Sequence, residues 1–428
     1  MLKNTHRVAL ATLFLAGTAS AWAVDWPSFR GPGGLGVSAE KGLPEKWDAK
    51  DGVIWKTDLP GGGASSPIIV GDRVFLTCFT DPNNKMARHL ICVDRRSGKI
   101  QWDKAVAGKA NEDRYGGQLT SHGFSSSTPV SDGEHVYVFY GKSGVLGYDL
   151  AGNEMWHVDL GDGSAPNGWG SGASPIVYKD KVIVNAAAEG DIFVALDKLT
   201  GKEVWRAKAD NARGSWSSPI IVDIPGGGQD LVIGVPYEVW GLNPDNGKLR
   251  WYATALDAAQ MMCTSLVAHD GIVYAVGGRQ GGAVAVKAGG KGDVTNTHVL
   301  WKAEIGSYVT SPVYVDGYLY WVSDRGIAVC LDAKTGKKVY ENRLDGARNL
   351  YASVVAADGK LYAVSRTSGT FVLPAKPEYS VLSKNDLGDD SDFNASPAIS
   401  DGQIFIRSNK ALYCLGQKKQ VALIGVKY

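Results

Sequence analysis

At 428 residues the chain exceeds what one ordinary hydrophobic core fills, so it is either several domains or a repeat array. A composition of 44% hydrophobic and 21% charged residues, with 54 glycines and 13 tryptophans, excludes a disordered chain and points to many short strands and tight turns. With 45 Lys and Arg against 44 Asp and Glu, charge offers no case for a nucleic-acid or anionic-membrane partner.

Residues 1–23 read as a secretory signal. Lys3, His6 and Arg7 form a basic start, residues 8–17 are apolar, and Ala21-Trp22-Ala23 has the cleavage pattern. The apolar run is too short to span a bilayer stably, so no transmembrane segment is expected in the mature chain. Cleavage removes Lys3 and Arg7 and no acid, leaving a net charge of −1. The mature chain, 24–428, is expected in the periplasm or outside the cell as one domain and a monomer. The first mature segment, DWPSFRGP (25–32), is expected to pack Trp26 and Phe29 on the rim, with Arg30 bridging to a carboxylate.

VIWKTDLPG (53–61) has the form of an outer strand that precedes any complete repeat. Eight repeats follow. Each opens on small residues and Pro, then a strand and an Asp-Gly or Gly-Asp turn, as in ASSPIIVGDRVF (64–75) and VTSPVYVDGYLYWV (309–322). The proline or its equivalent falls at Pro67, Pro129, Pro175, Pro219, Leu266, Pro312, Val354 and Pro397. The spacings of 62, 46, 44, 47, 46, 42 and 43 residues match the blade of a four-stranded propeller. A second motif, as in ALDKLTGKEVW (195–205), places an Asp-capped turn with Gly before a strand that carries Trp. The aromatics Trp102, Trp156, Trp205, Trp251, Trp301 and Tyr340 are expected to pack on the adjacent blade.

The fold class is therefore all-β, an eight-bladed propeller of four-stranded antiparallel blades. The last repeat lacks a Trp strand, so residues 53–59 are expected to close it; the tail 421–428 competes for that place. The long first spacing holds insertions at 81–88 and 108–123, and blade five carries another at 288–298.

Five cysteines cannot all pair internally. Cys92, Cys330 and Cys414 occupy the repeat position held elsewhere by Ala195, Gly147 and Gly241, where a small buried residue is needed. Whether Cys78 and Cys92 face each other across a hairpin is left open by the sequence.

The loops entering the blades line the central funnel. They supply His122, Trp169, Trp216, Tyr308, Tyr351 and Phe393, with Arg213 and Arg348 beside two of them. A ring of aromatics with a few polar groups suits a planar ligand or an extended peptide. The same rings equally serve to seal each blade against its neighbour. No metal site and no catalytic residues are assigned, because no known catalytic or metal-ligand spacing is present.

The A-[LV]-D-x-x-[TS]-G-K-x-x-W signature resembles the pyrroloquinoline-quinone-type propeller repeat, and the resemblance covers the whole mature chain. The opening DWPSFRGPGGLGVS, with GGRQGGAVAVKAGGKGDVTNTHVLW (277–301), is similar to exported propeller-repeat proteins of planctomycete-like bacteria. Two better understood relatives share the repeat: the quinoprotein alcohol dehydrogenases and the barrel-assembly propeller lipoprotein of the outer membrane. The dehydrogenases imply pyrroloquinoline quinone and Ca²⁺ on the axis, under adjacent cysteines. This chain has no Cys-Cys pair, and no lipidation cysteine near the cleavage point. The expectation is a non-catalytic scaffold, without cofactor, that binds an extracytoplasmic protein, peptide or carbohydrate. The alternative is a pyrroloquinoline-quinone-dependent oxidoreductase with an atypical site.

Overall fold

The computed structural model describes residues 25–257, 259–278 and 282–417. The signal segment 1–23 and the tail 421–428 lie outside the described residues. Eight antiparallel sheets form an eight-bladed β-propeller. Blade one runs from Ile68–Val70 at the axis through Arg73–Thr80 and Ala87–Asp94 to Ile100–Ala107 outside. The innermost strands of neighbouring blades touch one another around the axis. The hydrophobic cores lie between blades. One, for example, unites Val232 and Trp251 of blade four with Val273 and Val284 of blade five.

The tryptophan motif makes the repeated joint. Trp156 of blade two sits on the turn of blade three, where a Cβ at Gly201 would come within 2.8 Å of the indole. Its Nε1 donates to Lys198 O in that turn at 3.0 Å. Trp205 does the same on Gly247, donating to Pro244 O, and Trp301 on Gly336, donating to Ala333 O. These turn glycines have φ near +70°, so both their backbone and the indole against them exclude a side chain. Blade five lacks this turn, and Trp251 instead donates to the buried Asp230 at 2.7 Å.

The last blade takes its outer strand from the start of the chain. Val53–Asp58 pairs antiparallel with Ala411–Leu415, with Trp55 opposite Cys414. Trp55 then repeats the joint on blade one, packing on Gly98 and donating to Arg95 O at 2.8 Å.

A second closed circuit lies at the axis. The residue before each proline position carries a hydroxyl that accepts the backbone N–H of its counterpart one blade earlier. Ser66 N–H donates to Thr128 and Thr128 N–H to Ser174. The series continues through Ser218, Ser265, Ser311, Ser353 and Ser396, whose N–H returns to Ser66. All eight bonds are 2.9–3.0 Å long. Ser218→Ala strands the buried N–H of Ser174 and is expected to cost about 1–3 kcal/mol, whereas Ser218→Thr keeps the acceptor. The urea midpoints of the two variants check this; equal midpoints would show that the circuit carries no stability.

Two insertions add short parallel strands. Gly292–Asp293, within the blade-five insertion, pairs with the outer strand of blade four, and Val37–Ser38 lines the inner strand of blade seven. Cys78, Cys92, Cys330 and Cys414 are free thiols. The blade-one register sets Cys92 opposite Phe75 and Cys78 opposite His89, so the two do not face each other.

Candidate functional site

The segment expected on the rim lies instead across the channel. Trp26 bridges to Ile69 of blade one, and Pro27 O accepts Ser131 N–H of blade two. Arg30 is fully buried and donates to Leu35 O at 3.3 Å and to Pro312 O of blade six. It reaches carbonyls where a carboxylate was expected, and burial pushes its guanidinium down to about 9. The chain then joins blade seven through Val37–Ser38. Phe29 of this segment forms part of the floor of an axial cavity.

The insertion 108–123 forms the roof. Its base is pinned to blades one and two. Arg88 holds Glu112 with two bonds of 2.6 and 2.9 Å, and Lys142 holds Asp113 at 3.1 Å. It ends in the short helix Leu119–His122, which reaches blades seven and eight on the far side of blade one. Gln118 Nε2 donates to Tyr351 Oη at 2.7 Å, and Asn394 Nδ2 donates to Ser121 O at 2.8 Å. Arg366 packs over the Tyr351 ring at 4.9 Å and pairs with Asp392. The insertion is thus a strap over the funnel that ties blades one and two to their neighbours seven and eight.

Between strap and floor lies a cavity of about 140 Å³. Five of the eight funnel residues read from the sequence line it: His122, Trp169, Trp216, Tyr308 and Tyr351. Trp169 lies 5.7 Å from Trp216 and 6.4 Å, edge to face, from Tyr308. Trp216 is fixed by its Nε1 bond to Gly170 O at 2.7 Å. The other three stand outside the lining. Arg213 is exposed and paired with Asp191 at 2.6 Å, Arg348 is exposed, and Phe393 stacks on Tyr413 at 6.2 Å.

His122 Nδ1 lies 2.6 Å from Ser126 Oγ. Burial pushes its pKa down to about 4, and the nearby Arg366 adds to the effect, so the ring is neutral at pH 7. Sequence reading missed Gln118, Ser126 and Asn394, and it missed the ring hydroxyls of Ser66, Ser174, Ser311, Ser353 and Ser396, all of which line the cavity. The hydroxyls were within reach of inspection: each directly precedes a proline position of the repeat.

Among the described residues the lining includes no Asp, Glu, Lys or Arg. No cluster of three or more His, Cys, Asp or Glu suited to a metal ion occurs among them. Pyrroloquinoline quinone is a tricarboxylate, and Ca²⁺ takes carboxylate and carbonyl oxygens. A neutral wall of aromatics and hydroxyls offers neither countercharge nor carboxylate ligands, so these residues do not fit that pair.

The family described as outer membrane protein assembly factor BamB matches residues 45–227 and 87–342. The chain belongs to that family. A BamB protein of Yersinia pestis is 26% identical over 341 residues, covering 74% of this chain and 76% of its own. The BamB crystal structure from Moraxella catarrhalis superposes with a TM-score of 0.59 at 14% identity, over 85% of this chain and 99% of that one. A europium-containing methanol dehydrogenase superposes with a TM-score of 0.68 at 12% identity, over 92% and 98%. At these identities the two structures establish the propeller fold alone. No helix among the described residues is long and apolar enough to cross a membrane.

Proposed function

We propose that this BamB-type propeller is an exported, non-catalytic scaffold that serves a protein partner outside the cytoplasm. The observation that carries the reading is the uncharged axial cavity. The place where quinoprotein relatives do their chemistry here has no carboxylate, lysine or arginine in its described wall. A carboxylated quinone and its Ca²⁺ need such groups as countercharge and ligands. The Yersinia relative's name, an outer membrane protein assembly factor, supports a role in assembly outside the cytoplasm. The signal-like residues 1–23 agree with export.

The test has two arms. Incubation of the purified chain with pyrroloquinoline quinone and Ca²⁺, followed by alcohol- or sugar-dependent dye reduction, is expected to give no turnover above the protein-free background. Turnover lost on chelation of Ca²⁺ would overturn the reading. Fractionation of cells expressing the full chain is expected to place the processed form outside the cytoplasm; an unprocessed cytoplasmic form would refute export.

A further inference from the structure

We propose that the axial cavity is a binding site for one uncharged sugar ring, a pyranose held between the strap and the floor. This goes beyond the scaffold role and holds whichever protein partner the outer surface serves.

Three features of the wall select this chemistry. The first is charge. Among the described residues the lining carries no ionised side chain, and His122 is neutral. A charged ligand would give up hydration with no countercharge in return. The second is the aromatic surface. Trp169, Trp216, Tyr308 and Tyr351 offer flat apolar faces, and Trp169 and Tyr308 meet at an interplanar angle of 82°. Such a corner takes the C–H face of a saturated ring against one plane and its edge against the other.

The third feature is unspent hydrogen bonding. Asn394 is 6% exposed, and its Oδ1 has no partner among the described residues, while its Nδ2 is used by Ser121 O. A buried acceptor left in that state forfeits its hydration with nothing in return, so it asks for a donor. Conversely, Ser66, Ser174, Ser311, Ser353 and Ser396 each spend an acceptor lone pair on a backbone N–H and keep the hydroxyl proton to donate. The wall therefore wants both donors and acceptors from an uncharged partner. Sugar hydroxyls supply both from each atom.

Size agrees. A cavity of about 140 Å³ is close to the roughly 150 Å³ that takes one six-membered ring, and it is half open, which leaves room for the ring's hydroxyls. A folded peptide segment is too large, and a flat aromatic compound leaves Asn394 and the hydroxyls unmatched.

The test uses the purified full chain, with tryptophan fluorescence and calorimetry as readouts. The probes are glucose, galactose, N-acetylglucosamine, maltose and cellobiose, set against glucuronate, glucosamine, sulfate and indole. At least one neutral sugar is expected to give a saturable signal at concentrations up to about 10 mM. Trp169→Ala and Asn394→Leu are expected to weaken it by at least about tenfold. Arg213→Ala and Arg348→Ala, at positions outside the lining, are expected to leave it unchanged. Circular dichroism and the urea midpoint establish that each variant folds, and Trp169→Phe provides a milder change if Trp169→Ala does not. The proposal is overturned if no neutral sugar binds, if a charged probe or indole binds as well as the best sugar, or if Trp169 and Asn394 prove indifferent. A sugar that is bound and also oxidised with added quinone would refute the scaffold reading while leaving this site intact. Failure of binding alone leaves the scaffold reading standing.

Discussion

Arg407→Ala is expected to destabilise the propeller by about 3–5 kcal/mol, among the largest single-residue losses in the molecule. Arg407 belongs to blade eight and is fully buried. Its Nη1 donates to Ser65 O at 3.0 Å and to Thr77 O at 2.7 Å, both in blade one, and Nη2 lies 3.6 Å from Cys78 Sγ. Burial pushes its pKa down, and Cys78 opposes that shift. Removing the side chain leaves two buried carbonyls without donors and opens a void where the last blade meets the first. Trp55→Ala attacks the same closure from the outside, because Trp55 carries the blade-eight joint onto Gly98 and also packs on Phe405 at 5.9 Å. Its expected loss is about 3–5 kcal/mol, as for other buried Trp→Ala changes. Urea unfolding gives both values. The double variant is expected to lose less than the sum, since either change already opens the circle. A midpoint shift equivalent to less than about 0.5 kcal/mol for Arg407→Ala would place it with ordinary surface changes and refute the closing role.

The closure was half legible in the sequence. The orphan Trp55 strand was recognisable because the tryptophan motif repeats, and a fourth strand was missing from the last repeat. Arg407 was invisible: one arginine among many gives no sign that it will be buried against carbonyls more than three hundred residues away. The same asymmetry holds at the cavity. Loops that enter blades follow the repeat, so Trp169, Trp216, Tyr308 and Tyr351 were found by counting. The strap and the floor are insertions outside the period, and no local pattern tells where they cross. Hence Gln118 was missed, and Trp26, Phe29 and Arg30 were assigned to the rim. Asn394 was overlooked for a different reason. It follows Phe393 immediately, and in an alternating segment the aromatic turns away into the blade-eight core while the amide faces the cavity.

Glu189→Gln and His122→Asn are expected to bend the pH profile of stability in opposite directions. Glu189 lies wholly buried near the strap, with Ser171 donating to it. Burial pushes its pKa up to about 7 from an ordinary 4.5, against the smaller pull of Ser171 and Arg88. The folded state thus holds a proton that the unfolded chain has released. Its contribution is full below about 4.5 and is lost as pH rises through about 7. His122 does the reverse. Its folded pKa of about 4 lies below the ordinary 6.5, so its contribution is full above 6.5 and is lost as pH falls through about 4. Each shift corresponds to about 3 kcal/mol. In the native protein the two slopes oppose each other between pH 6.5 and 4.5, and stability there is expected to be nearly flat. Glu189→Gln exposes the histidine slope and is expected to lose stability on acidification through this range. His122→Asn exposes the glutamate slope and is expected to gain it. Urea midpoints at pH 7, 6, 5 and 4.5 separate the cases, and profiles for the two variants that run parallel to the native one would show that neither group titrates as its burial requires.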